Sequence, residues 1–253
     1  MANAYTGVGL QTWDLALLIV VSLQVTAMAY LPHPRWKALA LALPFPFTTI
    51  ALGQGQPINA THVIALLLLI VYYHAIRLFH RRLPIVPSIV LGLCLYVLSS
   101  RMLLSIVPIQ PASFPICVGT ISLLAIALFV WQPPRSEPHH RTPLPIYLKL
   151  PTVIVVVGLL IYLKSTLQGF ATLFPLVGVV GLYEARKGLW SVCRQAPIFT
   201  LGMCALLTAA YTAQPLLGLP AALSIGWGMY LIIMLPLTLR MWRREDAATT
   251  GNL

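Results

Sequence analysis

Acidic residues are almost missing from this chain. Across 253 residues there are five, Asp14, Glu137, Glu184, Glu245 and Asp246, and charged side chains of both signs make up 8%, against roughly a quarter in ordinary soluble domains. So few carboxylates cannot build the metal-holding acidic clusters of enzymes that act on lipid phosphates. Nucleotide-binding and catalytic signatures are absent too: no GxxxxGK[ST], no Rossmann glycine cluster, no HExxH, no paired-aspartate motif and no GxSxG. The four cysteines, Cys94, Cys117, Cys193 and Cys204, show no CxxC spacing and read as small apolar core residues rather than disulfide or metal ligands. His62 and His74 are too few for a haem. The chain is therefore read as having no catalytic residue, no metal and no cofactor, and as leaning away from enzymes.

What fills the chain is apolar. Hydrophobic residues make up 59% and the mean hydropathy is +0.88. Runs such as "LALLIVVSLQVTAMAYL" and "LKLPTVIVVVGLLIYL" are long enough for the roughly 20 residues that cross a bilayer as a helix. Only a helix or a closed barrel satisfies its backbone there, and the alternating pattern of a barrel is not seen. Residues 1–13 lack the basic region of a cleavable signal peptide, so the first run is expected to be a retained span. Nine spans are predicted, over 14–31, 36–52, 61–80, 84–107, 114–132, 145–164, 167–190, 196–214 and 219–240. The second carries Pro44 and Pro46, which remove donors and kink helices.

The basic residues check this count. Connections after odd-numbered spans hold Arg35 and Lys37, then Arg77, Arg81 and Arg82, then Arg135 and Arg141, then Arg186, Lys187 and Arg194. The tail adds Arg240, Arg243 and Arg244. The connections "GQGQPINAT", "IQPAS", "STLQG" and "AQPLLGL" hold none. That alternation is the positive-inside pattern, with the N-terminus outside and the C-terminus cytoplasmic. It explains the net charge of +11 without a nucleic-acid partner, because the basic residues are scattered rather than gathered.

A shift of 110 positions pairs Tyr73 with Tyr183, Ala75 with Ala185, Pro87 with Pro197, Leu91 with Leu201, Gly92 with Gly202 and Cys94 with Cys204. Lys37 with Lys149 and Gln56 with Gln168 follow if two residues are inserted. These matches predict two parallel four-helix repeats, 1–110 and 111–218, the second containing a cytoplasmic linker at 132–145. A ninth span and basic tail follow at 219–253. The second unit, "LKLPTVIVVVGLLIYLKS" followed by "FATLFPLVGVVGLYEARKGLW", resembles the small four-span bacterial membrane proteins of the GlpM type. The resemblance implies a bacterial inner membrane and a fused duplicate of such a unit; it carries over no catalytic residue.

The ionisable residues inside spans are the candidate site, because charge there is costly and functional by default. Glu184 and its repeat mate His74 each follow a tyrosine, Tyr183 and Tyr73, and each precedes a basic cluster. Placed across an axis they would form a proton-handling pair; the structural alternative pairs Glu184 with Arg77 or Lys187. Arg101, about 10 Å inside the outer end of span four at 1.5 Å per residue, either balances Asp14 or meets an anionic solute. The loop 52–62, with Asn59 and His62, is either re-entrant or a plain external turn. The "LPFPF" stretch would unwind span two, although its mate at a four-span shift, "TVIVVVGLLI", offers no such break. Gly178, Gly181, Gly226 and Gly228 are expected at close helix contacts.

These readings point to an all-α polytopic protein that transports or conducts a small solute, open to proton coupling, in the lipid bilayer. Glu184, His74, Arg101, Tyr73 and Tyr183 would be its solute or proton ligands. A non-catalytic membrane subunit, working with other membrane subunits or as a homo-oligomer in assembly or export, is the alternative. A small membrane-embedded enzyme is the third class.

Overall fold

A computed structural model of the chain describes residues 12–104, 110–135, 137–138, 146–164 and 168–250. Most of the 132–145 linker, including Arg141, lies outside the described residues, as does most of "STLQG". Helices account for the described architecture, and no strand occurs among the described residues. They are α1 (Thr12–Tyr30), α2 (Pro34–Leu41), α3 (Phe45–Gln54), α4 (Ala60–Phe79), α5 (Ile85–Leu104), α6 (Ser113–Trp131) and α7 (Ile146–Lys164). A 3-10 turn (Gln168–Leu173) follows, then α8 (Leu176–Glu184), α9 (Leu189–Leu217) and α10 (Leu219–Thr250).

Among the described residues, seven stretches are long and apolar enough to cross a membrane, taking α2 and α3 together as Pro34–Gln54. Ile146–Tyr162 is apolar but shorter. This is an α-helical, multi-pass membrane protein. Its outer surface is what lipid requires: Leu123, Val155, Leu159 and Ile116 are each about 70% exposed, a placement water would penalise and hydrocarbon does not.

Two stretches depart from the straight spans predicted at 36–52 and 167–190. The first is interrupted at Ala42–Pro44, between α2 and α3. Proline at 44 and 46 cannot supply the amide hydrogens a continuous helix needs. The second is interrupted at Phe174–Pro175, between the 3-10 turn and α8, for the same reason. Side chains take up the carbonyls that each break frees. Gln24 Nε2 donates to Ala40 O (2.8 Å) and Leu43 O (3.1 Å), and the Tyr230 hydroxyl donates to Ala42 O. At the second break the Tyr96 hydroxyl donates to Leu173 O (3.0 Å) and Phe170 O (3.3 Å). Buried carbonyls must be paired in a bilayer, and these three side chains stabilise the interruptions.

The packing follows a shift of five spans. Helix α1 packs on α7, α4 on α9, and the α3 segment against the 3-10 turn. Flanking contacts come in matched pairs: α4 with α5 and α9 with α10; α2 with α9 and the 3-10 turn with α4; α3 with α10 and α8 with α5. Tyr96 and Tyr230 are matched as well, each four residues after a close-packed glycine. A Cβ on Gly92 would lie 2.6 Å from Ile76, and one on Gly226 would lie 2.9 Å from the Leu206 carbonyl. Of the residues paired by the 110-position shift, Tyr73 is buried and Tyr183 exposed, and Cys94 is exposed whereas Cys204 is buried, while Gly92 and Gly202 are both buried.

The polar loop at 52–62 is a turn. Gly55, at φ 59°, ends α3 in the left-handed region, which glycine adopts without strain. Asn59 then caps α4, accepting from the Thr61 amide at 3.0 Å, and the ring of His62 completes the capping box.

Candidate functional site

The two interrupted spans meet where α3 packs against the 3-10 turn. A small cavity of about 50 Å³ lies between them, lined by Leu43, Pro44 and Phe47 of one break and by Thr172, Phe174, Pro175 and Gly178 of the other. Tyr73 closes one side. Helices α3 and α8 both begin at this cavity, and neither N-cap (Pro44 or Pro175) supplies a side-chain cap. Gly178 keeps the cavity open: a Cβ there would approach Pro175 and Tyr72 to 3.2 Å.

Toward the C-terminal end of α8 lies a buried charged cluster. Glu184 is 3% exposed, Lys149 5% and Lys37 2%. Lys149 Nζ stands 2.9 Å from Glu184 Oε2, a buried ion pair. Lys37 Nζ donates to the Glu184 backbone carbonyl at 3.1 Å. Lys149 also sits 5.4 Å from the Tyr30 ring. Two buried cations thus share one carboxylate.

The remaining acids are committed elsewhere. Glu245 bonds Arg194 and lies 2.5 Å from Arg35 Nε, and Asp246 takes Arg35 Nη1 at 2.6 Å. Glu137 accepts from the amides of Trp190 (2.9 Å) and Ser191 (2.8 Å) at the start of α9, where the helix dipole favours an anion. Asp14 sits in the first turn of α1, at the opposite end of that helix from Tyr30.

The sequence candidates separate. Glu184 pairs with Lys149, not with Arg77 or Lys187; Arg77 instead stacks over Trp190 at 4.1 Å. His74 belongs to another cluster, its Nδ1 at 2.8 Å from Ile70 O and its Nε2 at 3.0 Å from Gln132. Tyr73 lines the cavity, whereas Tyr183 is 38% exposed beneath the Arg186 guanidinium. Arg101 is exposed on α5. Gly178, Gly181 and Gly226 sit at close contacts, but a Cβ on Gly228 would meet nothing, because its side of α10 is not covered.

Sequence reading missed Lys37 and Lys149 as site residues, since Lys37 was counted as a topology marker and Lys149 only as its match in the repeat. Their signal was local: both stand in apolar text, "RWKALALALPF" and "IYLKLPTVIV", rather than among other charges. Tyr96 and Tyr230 share the spacing G-x-x-x-Y, at Gly92–Tyr96 and Gly226–Tyr230. No protein-family model, no characterised protein and no solved structure matches the chain.

Proposed function

We propose that this protein carries a small solute across a bacterial inner membrane by alternating access. The observation that carries this reading is the meeting of two interrupted helices at a small shared cavity. Non-helical backbone at membrane depth is tolerated where it lines a cavity, and transporters place solute sites there. Nine crossings are proposed, with the N-terminus outside and the basic end cytoplasmic. We read the halves as inverted rather than parallel. An odd shift of five spans reverses direction across the membrane, so the relating axis lies in its plane. Spans one to four then correspond to six to nine, and α6 has no counterpart. Rocking of one half against the other would expose the cavity first to one side and then to the other.

Cysteine accessibility tests this. In a background where Cys94, Cys117, Cys193 and Cys204 are replaced by alanine, Thr172→Cys is expected to react with a membrane-impermeant thiol reagent from both sides of sealed vesicles. Reaction from neither side would exclude a carrier pathway through this cavity.

One feature favours the subunit reading. An open apolar groove of about 730 Å³ runs between α6, α9 and α10, lined by Val118, Ala205, Thr208, Ala209 and Met229 among others. Its small residues permit close approach by another helix. Co-purification of a stoichiometric membrane partner, with no vesicle flux, would favour that reading.

A further inference from the structure

Helices α6 and α10 both pack on α9 and leave between them the open apolar groove of about 730 Å³. That volume falls within the roughly 300–1,000 Å³ typical of ligand sites. On α10 the groove is lined by Ile225, Met229, Ile233 and Leu237, one helical face about 18 Å long at 1.5 Å per residue. One leaflet of a hydrocarbon core of roughly 30 Å is about 15 Å deep. The groove therefore has the length of an acyl chain and falls short of a spanning helix. It opens outward, with Ile126, Ile225 and Met229 each 41–47% exposed. Its threonines are satisfied within α9: the Thr208 hydroxyl donates to Cys204 O (2.7 Å) and the Thr212 hydroxyl to Thr208 O (3.1 Å).

Charge marks one end of the groove. The α10 face continues past Leu237 to Arg240 and Arg244, both exposed, at the three- and seven-residue spacing that keeps side chains on one side of a helix. On the opposite wall Phe129 follows Ile126 by one turn, and the Arg244 guanidinium stands 5.7 Å from its ring centroid. That contact joins α10 to α6 where the groove ends. Among the described residues, no ion pair reaches Arg240 or Arg244. The chain's own acids are placed elsewhere: Glu184 faces Lys149, Glu245 and Asp246 face Arg194 and Arg35, Glu137 caps α9 and Asp14 begins α1. A second copy of the chain would bring the same shortage. An anion for this end comes from outside the protein, and the lipid headgroup layer holds anions beside the basic end of a span.

We propose that the groove binds an anionic phospholipid, one acyl chain lying along α9 between α6 and α10 and the phosphate held by Arg240 and Arg244. Guanidinium suits phosphate because its fork of N–H donors meets two oxygens at once. The acyl chain only exchanges one apolar medium for another, so the groove supplies position and the arginines supply selectivity. A lipid there leaves the transport reading untouched and takes from the subunit reading its seat.

The full chain, purified in neutral detergent, is titrated with phosphatidylglycerol and with phosphatidylcholine of the same acyl chains, and retained lipid is counted by native mass spectrometry. One phosphatidylglycerol per chain is expected, bound about tenfold tighter than phosphatidylcholine, the scale of one or two basic contacts at a headgroup. Arg240→Gln combined with Arg244→Gln should remove that preference. Thr208→Phe, at an exposed position in the groove, should weaken both lipids by about tenfold by filling the acyl seat; thermal melts verify that the variants fold. Equal affinity for the two lipids in the unaltered chain, or a preference that survives replacement of both arginines, would overturn the site. So would lipid binding indifferent to Thr208→Phe, which would leave a basic surface with no seat for the acyl chain. A dimer or a co-retained protein that Thr208→Phe releases, with no lipid bound, would give the groove to another helix and overturn the lipid site.

Discussion

Two charged clusters form beside the basic connections, and they are built on opposite accounts. Arg35, Arg194, Glu245 and Asp246 join the first connection, the start of α9 and the end of α10 with two cations and two anions. Lys37, Lys149 and Glu184 join α2, α7 and α8 with two cations and one anion. Guanidinium forks satisfy carboxylates in fixed geometry, which suits a permanent clamp. Lysine is a point charge on a flexible stem, able to leave one oxygen for another. The balanced cluster has what a fastening needs. The other ties three helices together through a single carboxyl-bearing residue, one lysine at its carboxylate and one at its backbone carbonyl.

The comparison breaks most sharply at Arg194. Arg194→Ala takes one of two guanidinium partners from the buried Glu245, Arg35 remaining, and should cost about 3 kcal/mol, read as a fall in thermal stability of the nanodisc-embedded protein. Lys149→Met removes the ammonium 2.9 Å from the buried Glu184 carboxylate, and Lys37, which bonds only the Glu184 carbonyl, does not replace it, so a loss of similar size is expected. Equal losses would mean that both clusters are fastenings. Within the cavity, Gly178→Val should lose about 1–3 kcal/mol through overpacking against Pro175 and Tyr72.

Smaller effects test the matched halves. Tyr96→Phe and Tyr230→Phe each leave break carbonyls unpaired and should each cost about 1–2 kcal/mol. Similar losses are expected if the halves are equivalent, whereas an effect at only one would dissolve the symmetry. Asp246→Asn should change melting by less than about 0.5 kcal/mol, since Asp246 is 66% exposed on its side of the pair and exposed ion pairs contribute little. Lys37→Met should hold or raise stability, since an apolar side chain of similar length often replaces a buried charge without loss.

Much of the helical plan was legible because spanning a bilayer needs length and apolarity, both local properties. Six of the spans read from the sequence, all but the second, sixth and seventh, appear as single helices that meet these demands. Glu184 was also found by a local rule, that a carboxylate in apolar text is costly. Its partner was not. Lys149 lies 35 positions away, and only the meeting of α7 with α8 brings it to 2.9 Å. The break at Pro44 was visible as a proline pair, whereas Pro175, alone in "LFPLV", resembled the tolerated prolines within α9 and α10.

The sequence by itself determined the class of protein: a chain with 8% charge and long apolar runs buries them in a bilayer as helices. Tertiary structure decided which helices touch and which charged residues meet. Which helices touch depends on side-chain fit across many residues. Net charge in the interior is likewise a property of the meeting, not of any one segment: Lys37, Lys149 and Glu184 are ordinary at their own positions, and only their convergence leaves one positive charge over.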